Sequence, residues 1–171
     1  MNRNSESSVG MGHMVLRRAE MNPSAPALTY EGATQTFEQL ALNIRKVACF
    51  LKSLNIEPGD RVGYLGQNHP RFLEVLYASS LLGAIFVPLN YRLTSQEVHY
   101  IANDAGLTVL VSDEFSAPLI DEYTDELPCR HFISVGFKSD NWIALDSALA
   151  NEAVEVGTGS LELAHVAETD T

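Results

Sequence analysis

The sequence predicts a three-layer α/β fold, in which a mainly parallel sheet built from successive βαβ units lies between helices. Apolar segments typical of buried strands recur about every 23 residues, starting near Arg61, Ile85, Thr108 and His131. Each interval is long enough for a short helix and its loops, as a crossover between parallel strands requires. Each interval also contains a helix-start signal, so we expect right-handed helical crossovers.

The segment before the first of these strands predicts a helix followed by a small β-hairpin. Residues 1–12 are mostly polar and indicate a disordered leader. A short helix is expected from about Met11 to Met21, because a proline follows closely. Two short strands, at residues 27–30 and 34–37, flank Glu31-Gly32, a dipeptide suited to a tight turn. These elements form an amino-terminal addition to the parallel sheet.

Four pairs of residues mark the starts of longer helices. Two pairs are capping boxes, in which glutamine or glutamate follows a threonine by three residues: Thr36 with Gln39, and Thr94 with Glu97. Two others combine a polar cap with a proline in the first turn: Asn68 with Pro70, and Ser116 with Pro118. Apolar residues recur at helical spacing after each start, so each helix has a face that can pack on the sheet. A last short helix is expected from Trp142 to Ala150.

The loop after the second strand contains the candidate site residue, Arg92. Pro88 is predicted to end the strand at Ile85 to Val87, because proline lacks the N–H that a central strand needs. Arg92 then lies at the carboxyl edge of the sheet, where open α/β folds bind ligands. With Asn90-Tyr91 beside it, the guanidinium suits an anionic ligand. A salt bridge from Arg92 to Glu97 that pins the loop is an equally good structural alternative.

Other catalytic signatures are scarce. The chain contains neither a Walker A motif nor the Gly-x-Ser-x-Gly setting of a hydrolase serine. Gly157 and Gly159 lie in a segment more typical of a flexible linker than of a phosphate loop. Asp113 and Glu114 follow the third strand, where a role in a turn is favoured over a catalytic one. The five histidines have no metal-site spacing, so no catalytic or metal-binding residue is predicted.

Composition and charge limit the classes of protein that fit this chain. The longest apolar stretch, residues 81–89, contains a glycine and a proline and is far too short to span a membrane. The amino terminus lacks the apolar core of a signal peptide, and Cys49 and Cys129 have no CxxC spacing, so we expect a cytoplasmic protein with free thiols. The net charge is −11, and residues 93–171 hold two basic against fifteen acidic residues. Such a chain is unsuited to binding nucleic acid.

Four motifs occur in a fixed order along the chain. They are Leu28-Thr29-Tyr30 with Phe37-Glu38-Gln39-Leu40, Ile56-Glu57-Pro58-Gly59-Asp60-Arg61-Val62, Gly66-Gln67-Asn68-His69-Pro70, and Leu82 through Asn90. This succession resembles the amino-terminal region of the AMP-forming acyl-CoA synthetases, members of the adenylate-forming superfamily. The Asn-x-Arg-Leu loop at residues 90–93, followed by Ser-x-Glu-Val, is most similar to bacterial fatty- and aryl-acyl-CoA ligases. Peptide-synthetase domains usually have an aspartate where Asn90 stands.

The resemblance implies an acid–thiol ligase. Such an enzyme converts a carboxylic acid (here a fatty acid is expected), ATP and coenzyme A into acyl-CoA, AMP and pyrophosphate through an acyl-adenylate. It implies ATP, Mg²⁺ and coenzyme A as cofactors of the full-length enzyme, and it places Arg92 near the coenzyme A nucleotide. The family's phosphate loop and catalytic lysine would follow residue 171. Residues 13–150 would form an amino-terminal subdomain, and residues 151–171 an acidic linker toward the phosphate loop.

As part of a larger domain, the chain is expected to be inactive by itself, because adenylation needs the phosphate loop, a metal and a lysine. A sheet that stops after a few parallel strands also leaves an exposed edge and an apolar face, so self-association is expected. A free-standing, non-catalytic α/β binding or interaction module is the alternative that the sequence leaves open.

Overall fold

Residues 10–150, the part of the chain that the computed structural model describes, form an α/β fold with five helices, seven strands and two 3₁₀ segments. The helices are α1 (Met11–Met21), α2 (Phe37–Ser53), α3 (Pro70–Leu81), α4 (Ser95–Asp104) and α5 (Leu145–Ala150). The strands are β1 (Pro26–Tyr30), β2 (Ala33–Thr36), β3 (Arg61–Leu65), β4 (Ile85–Leu89), β5 (Val109–Asp113), β6 (His131–Val135) and β7 (Ile143–Ala144). The 3₁₀ segments are Ala117–Leu119 and Asp121–Glu126. This order confirms the predicted α/β class and the amino-terminal hairpin.

Five strands form one parallel sheet in the order β4-β3-β5-β6-β7, and β1 and β2 form a separate antiparallel hairpin. β3 pairs with strands on both sides, so that Val62 lies opposite Phe86 of β4 and Val109 of β5. β6 and β7 extend the sheet beyond β5, again in parallel register. The parallel sheet is as predicted, and β3-α3-β4 and β4-α4-β5 are βαβ units, whereas β5 and β6 are joined through the two 3₁₀ segments.

Helices cover the sheet on both faces. On one face, Val62 and Val109 belong to a core that includes buried residues of α1, α2, α3 and α5. On the other face, Leu65 and Leu110 pack in a second core with Val98 of α4. Successive strand residues point to opposite faces, so a sheet covered on both sides needs apolar residues at nearly every strand position. The two cores confirm the predicted three-layer architecture.

Both predicted capping boxes are present. At the start of α2, Thr36 N donates to Gln39 Oε1 over 2.9 Å, and Gln39 N donates to Thr36 Oγ1 over 3.3 Å. At the start of α4, Thr94 N donates to Glu97 Oε2 over 2.8 Å, and Glu97 N donates to Thr94 Oγ1 over 3.4 Å. The N–H groups of the first helical turn have no acceptor within the helix, and each box supplies hydrogen-bond acceptors for two backbone N–H groups at the helix start.

Two helix starts differ from the prediction. α3 is capped by His69, whose Nδ1 accepts a hydrogen bond from Arg71 N over 3.1 Å, and not by Asn68. The helix predicted after Ser116 is replaced by the two 3₁₀ segments. The second of them, Asp121–Glu126, has acidic side chains at four of its six positions. Like charges four residues apart destabilise an α-helix, which explains the shorter segments.

Two strand boundaries also differ. Pro88 does not end β4, which continues to Leu89. β4 is an edge strand of the described sheet, and an edge tolerates proline because the missing N–H interrupts no ladder on its outer side. At the other edge, β7 occupies the start of the segment predicted to be helical from Trp142 to Ala150, so that α5 begins only at Leu145.

Both ends of the chain lie outside the described range. The predicted linker at residues 151–171 and residues 1–9 of the predicted leader fall there. The remainder of that leader overlaps α1, which begins at Met11. Within residues 10–150, no helix combines the length and the apolar composition that crossing a lipid bilayer requires.

Candidate functional site

The carboxyl ends of the parallel strands bring four loops to one edge of the sheet. The loops follow β3, β4, β5 and β6 and begin at Gly66, Asn90, Glu114 and Gly136, respectively. Ligands of open α/β sheets bind along this edge, because the loops there can vary while the strands hold them in place. The predicted site residue, Arg92, is exposed in the loop after β4.

The loop that carries Arg92 is held by its own side chains. Asn90 Oδ1 accepts a hydrogen bond from Arg92 N over 3.0 Å, and Leu93 N donates to Asn90 O over 3.2 Å. The Arg92 guanidinium carbon lies 5.6 Å from the centroid of the Tyr91 ring, a distance at which a cation is attracted to the ring face. Asn90 therefore shapes the turn, and Tyr91 supports the guanidinium.

The structural alternative for Arg92, a salt bridge to Glu97, is not formed. The Glu97 carboxylate instead accepts hydrogen bonds from Thr94 N and Thr94 Oγ1, each over 2.8 Å. These bonds hold the pKa of Glu97 below its ordinary value, because they stabilise the charged form. Within residues 10–150, Arg92 takes part in no ion pair shorter than 4.0 Å, so its charge is available to an anionic ligand.

An exposed aromatic ring continues the site from β4 toward β5. Phe115 follows β5 and is 68% exposed. Phe115 contacts Tyr91 edge to face, with the ring centroids 6.4 Å apart and the ring planes at 80° to each other. Sequence reasoning did not single out Phe115, because a phenylalanine after a strand is usually read as part of the core.

Asp113, at the end of β5, fixes two of the loops in place. Its Oδ2 accepts a hydrogen bond from Gln67 N over 2.7 Å, and its Oδ1 accepts one from Ser116 N over 2.8 Å. Both oxygens thus serve backbone N–H groups of neighbouring loops. The arrangement confirms the predicted role of Asp113 in a turn and explains how the loops after β3 and β5 keep their spacing.

Gly66 allows these loops to approach closely. A Cβ at this position would lie 2.9 Å from Asp113 Oδ2 and 2.9 Å from Cε1 of Tyr64. Tyr64 itself is fully buried beneath the edge, and its hydroxyl has no hydrogen-bond partner among the described residues. Burial, reinforced by the nearby Asp113 and Glu74 carboxylates, raises the pKa of Tyr64, so the phenol stays neutral.

Two clefts flank this edge on the side of the hairpin. One, of about 380 Å³, includes Asp113 and Phe115 in its lining. The other, of about 330 Å³, lies between the hairpin, α2, α3 and α5, and Arg71 and Glu74 contribute to its wall. Tyr30 borders both.

A buried ion pair forms the wall of the second cleft. Glu74 is only 1% exposed, and its carboxylate accepts hydrogen bonds from the Arg71 guanidinium and from Asn43 Nδ2, the latter over 3.0 Å. Burial by itself would lower the pKa of Arg71, but the Glu74 and Asp146 carboxylates outweigh it and raise the pKa. Sequence reasoning missed this group, whose only local signal is the three-residue spacing of Arg71 and Glu74 on one helix.

The described residues include an exposed guanidinium at the sheet edge and no cluster of metal-ligating side chains. Within residues 10–150, no three histidine, cysteine or acidic side chains are grouped so that they could hold a metal ion. Arg92 by contrast presents an exposed guanidinium beside the Tyr91 ring. Of the cofactors implied by the sequence, a phosphate-bearing molecule such as coenzyme A fits these residues.

Comparison with known sequences identifies the family. The profile described as AMP-binding enzyme matches residues 15–165. A feruloyl-CoA synthase from an Amycolatopsis species is 42% identical over 102 residues, which cover 60% of this chain and 21% of that protein. The long-chain-fatty-acid–CoA ligase FadD13 of Mycobacterium tuberculosis is 36% identical over 152 residues, which cover 86% of this chain and 30% of that protein.

Solved structures share the fold. A fatty acyl CoA synthetase of Mycobacterium tuberculosis superimposes with a TM-score of 0.75 at 29% identity, over 85% of this chain and 29% of that one. The N-terminal domain of FACL13 from the same organism gives a TM-score of 0.73 at 30% identity, over 82% of this chain and 35% of that one.

The chain spans between 21% and 30% of the length of the two curated relatives described above. The family profile nevertheless covers most of the chain, and the N-terminal domain of FACL13 shares its fold over 82% of the chain. The chain therefore belongs to the AMP-binding enzyme family and corresponds to the amino-terminal part of the fold that acyl-CoA ligases share.

Proposed function

We propose that this chain is the amino-terminal portion of an acid–thiol ligase that activates a carboxylic acid with ATP and transfers the acyl group to coenzyme A. The family match over residues 15–165 carries the proposal. Relatives named as a feruloyl-CoA synthase, an indoleacetate–CoA ligase and a long-chain-fatty-acid–CoA ligase support it, because their names share thioester formation with coenzyme A. A fatty acid is the proposed substrate, since that ligase matches 86% of this chain.

The proposed role of Arg92 is to bind a phosphate of the coenzyme A nucleotide. Its guanidinium is exposed at the carboxyl edge, rests against Tyr91 and has no acidic partner among the described residues. A guanidinium binds phosphate through charge-assisted, often bidentate hydrogen bonds. Tyr91 and Asn90 orient the loop without neutralising the charge.

ATP and Mg²⁺ are the proposed cofactors of the whole ligase, with the carboxylic acid and coenzyme A as its other small-molecule partners. Stabilising the charge that develops during phosphoryl chemistry requires positioned amides, a cation and a metal. Residues 10–150 contain no group of side chains suited to hold the metal. We therefore propose that the 171-residue chain alone does not catalyse adenylation.

The proposal also includes self-association of the isolated chain and a cytoplasmic location. Ile85 and Ile143, on the two edge strands of the described sheet, are 47% and 36% exposed. Exposed apolar side chains near sheet edges favour contacts with a second copy. The described cysteines, Cys49 and Cys129, are free, which suits a reducing compartment.

The test uses the complete reading frame that contains this sequence. The purified product should exchange labelled pyrophosphate into ATP only when a carboxylic acid is present, and should form a thioester only when coenzyme A is added. The 171-residue chain should do neither. Carboxylate-dependent exchange is the decisive result, and its absence from the folded, complete protein with every acid tried would refute the ligase assignment.

A further inference from the structure

One cleft of the molecule has no part in the proposed ligase function. It has a volume of about 330 Å³ and lies between the hairpin, α2, α3 and α5, and we call it the hairpin cleft. Its polar lining includes Gln35, Asn43, Arg71, Glu74 and Asp146. None of the residues proposed above to bind coenzyme A lines it. A cleft of this size can hold a small molecule, and the chemistry of its lining indicates which kind of molecule would bind.

The lining of the hairpin cleft carries one more negative than positive charge. Arg71 supplies the positive charge, and its guanidinium already donates to two carboxylates, to Glu74 through Nη1 and to Asp146 through Nη2 and Nε. His69, which also lines the cleft, accepts a hydrogen bond at Nδ1 from Arg71 N over 3.1 Å. A nitrogen that accepts carries no proton, so this ring adds no charge. The cleft should therefore attract a cation and repel an anion.

The cleft also offers hydrogen-bond acceptors that lack donors. Gln35 Oε1 is buried and has no hydrogen-bond partner among the described residues. Glu74 Oε1 accepts one bond, from Asn43 Nδ2 over 3.0 Å, and Asp146 Oδ2 accepts one, from Gly136 N over 3.2 Å. A carboxylate oxygen can accept two hydrogen bonds, so each of these can accept one more. Because a buried carbonyl without a donor costs free energy, a ligand that brings N–H groups would be stabilised here.

An aromatic ring adds to this preference. Tyr30, the last residue of β1, borders the cleft and contacts the His69 ring edge to face, with the ring centroids 5.3 Å apart and the ring planes at 69° to each other. This contact holds the Tyr30 ring at the wall of the cleft. The negative face of an aromatic ring attracts an ammonium or a guanidinium group, so Tyr30 favours the same class of ligand as the carboxylates do.

We propose that the hairpin cleft binds a small organic cation, whose ammonium or guanidinium head donates to Gln35 Oε1 while the Glu74 and Asp146 carboxylates balance its charge. This site is separate from the proposed ligase chemistry. An ionised carboxylic acid, ATP and coenzyme A are all anions, so none of the small-molecule partners of the ligase suits a cleft with an excess of negative charge. The inference therefore does not depend on the proposed function.

The experiment titrates the complete protein with three probes that share a butyl chain. Butylammonium is a cation, butanol is neutral, and butanesulfonate is an anion that cannot serve as a carboxylic acid substrate. Ligand-observed NMR measures the Kd of each probe. Butylammonium should bind about tenfold more tightly than butanol, because a hydrogen bond that involves a charged group is the stronger one, and butanesulfonate should not bind. Added salt should weaken the binding of butylammonium and leave that of butanol unchanged.

Substitutions at Gln35 and Asp146 test the acceptor and the charge separately. Gln35→Leu removes the buried carbonyl and should raise the Kd for butylammonium about tenfold, whereas Gln35→Glu adds a carboxylate of the same size and should lower that Kd. Asp146→Asn removes one negative charge without changing the size of the side chain, so it should raise the Kd for butylammonium several-fold. Asp104→Asn, at the end of α4 on the other face of the sheet, is the matched control and should leave the Kd unchanged.

Three outcomes would overturn the proposal. The first is a folded, complete protein that binds butylammonium no more tightly than butanol. The second is an unchanged Kd for butylammonium in both Gln35→Leu and Asp146→Asn, and the third is an equal loss of affinity in Asp104→Asn. Each leaves the ligase assignment intact, because carboxylate-dependent pyrophosphate exchange tests that assignment separately. Thermal midpoints, measured alongside, show whether each variant is folded, and the isosteric Gln35→Glu and Asp146→Asn serve if Gln35→Leu is not.

Discussion

Arg71 Nη2 donates to Asp146 Oδ1 over 2.8 Å, and this pair joins the first turns of α3 and α5 across 75 residues of sequence. Arg71 Nε donates to the same oxygen over 3.2 Å, and the other oxygen of Asp146 accepts from Gly136 N, also over 3.2 Å. Arg71 also binds the buried Glu74 of α3. A single guanidinium therefore connects α3 to α5 and, through Asp146, to the loop after β6.

The two carboxylates bound by Arg71 should contribute unequally to stability. Glu74 is 1% exposed, so Glu74→Ala leaves the Arg71 charge without its buried partner and should lower the free energy of unfolding by roughly 3 kcal/mol. The Asp146 side chain is 53% exposed, so Asp146→Asn should cost only about 0.5 kcal/mol. Urea unfolding of both variants measures the difference, and equal losses would contradict the buried character of the Glu74 pair.

Gly66 should not tolerate a larger side chain. The methyl group of Gly66→Ala would lie 2.9 Å from Asp113 Oδ2 and from the Tyr64 ring, so the loops after β3 and β5 would have to separate. We expect a loss of about 2 kcal/mol, typical of overpacking in a rigid region.

Gly32→Ala provides the comparison for Gly66→Ala. No heavy atom lies within 4 Å of a Cβ at Gly32, but its φ of +81° strains any residue other than glycine. Gly32→Ala should lower the free energy of unfolding by about 1 kcal/mol. It should leave the candidate site unaffected, because the substitution acts through the backbone of the hairpin alone. A larger loss for Gly32→Ala than for Gly66→Ala, in chemical denaturation, would count against the crowding at Gly66.

Stability should fall at alkaline pH through the thiol of Cys129. Burial raises the pKa of Cys129 from its ordinary value of 9.0 to about 12. The unfolded thiol therefore ionises first, so the contribution to stability is complete below pH 9 and is lost as the pH rises toward 12. The slope should approach about 1.4 kcal/mol per pH unit in that window.

Cys129→Ala removes this ionisation, and its urea midpoint should depend less on pH between 9 and 10 than that of the unmodified chain. Tyr64, whose pKa is also raised by burial, has an ordinary value of 10.0, so it contributes mainly above that window. Identical pH profiles for the two proteins would mean that the Cys129 thiol is accessible to solvent in the folded chain.

Arg92→Ala should raise the KM for coenzyme A in the complete ligase and leave adenylation unchanged. The expected loss is roughly 1–3 kcal/mol, the range for a hydrogen bond to a charged group, which corresponds to about tenfold or more in apparent affinity. Pyrophosphate exchange without coenzyme A isolates the first half-reaction. If both half-reactions and the thermal midpoint decline together, Arg92 instead holds the loop in place. Arg61→Ala, at the opposite end of the sheet, is a matched control for the loss of one positive charge.

The main sheet and its helices could be predicted because their signals are local. Strand spacing and the two capping boxes depend on residues within a few positions of each other, and both correspond to observed elements. The place of Pro88 inside β4 could not be predicted, because it depends on β4 being at an edge, and the order of strands is set by pairings far apart in sequence. The helix expected after Ser116 failed because charge repulsion in Asp121–Glu126 opposes its apolar pattern.

Of the residues at the carboxyl edge, the sequence singled out Arg92, whose role in binding stays a prediction. Arg92 follows a strand directly, so its position at the sheet edge is visible in the sequence. The ring contact between Tyr91 and Phe115 joins loops that follow different strands, and the hydrogen bonds between Arg71 and Asp146 join residues 75 positions apart. Such contacts arise only when the parallel strands bring their ends together, and no local pattern records them.

Pro88 also affects how this sheet can grow. An unprotected edge strand is a template on which another strand, from the same or a different chain, can add by backbone hydrogen bonds, and this is a common start of fibrillar aggregation. A residue without an N–H near the end of β4 leaves a gap in any such ladder. Copies of the chain should therefore meet through side chains and not through a continuous intermolecular sheet, which favours small, reversible assemblies over fibres.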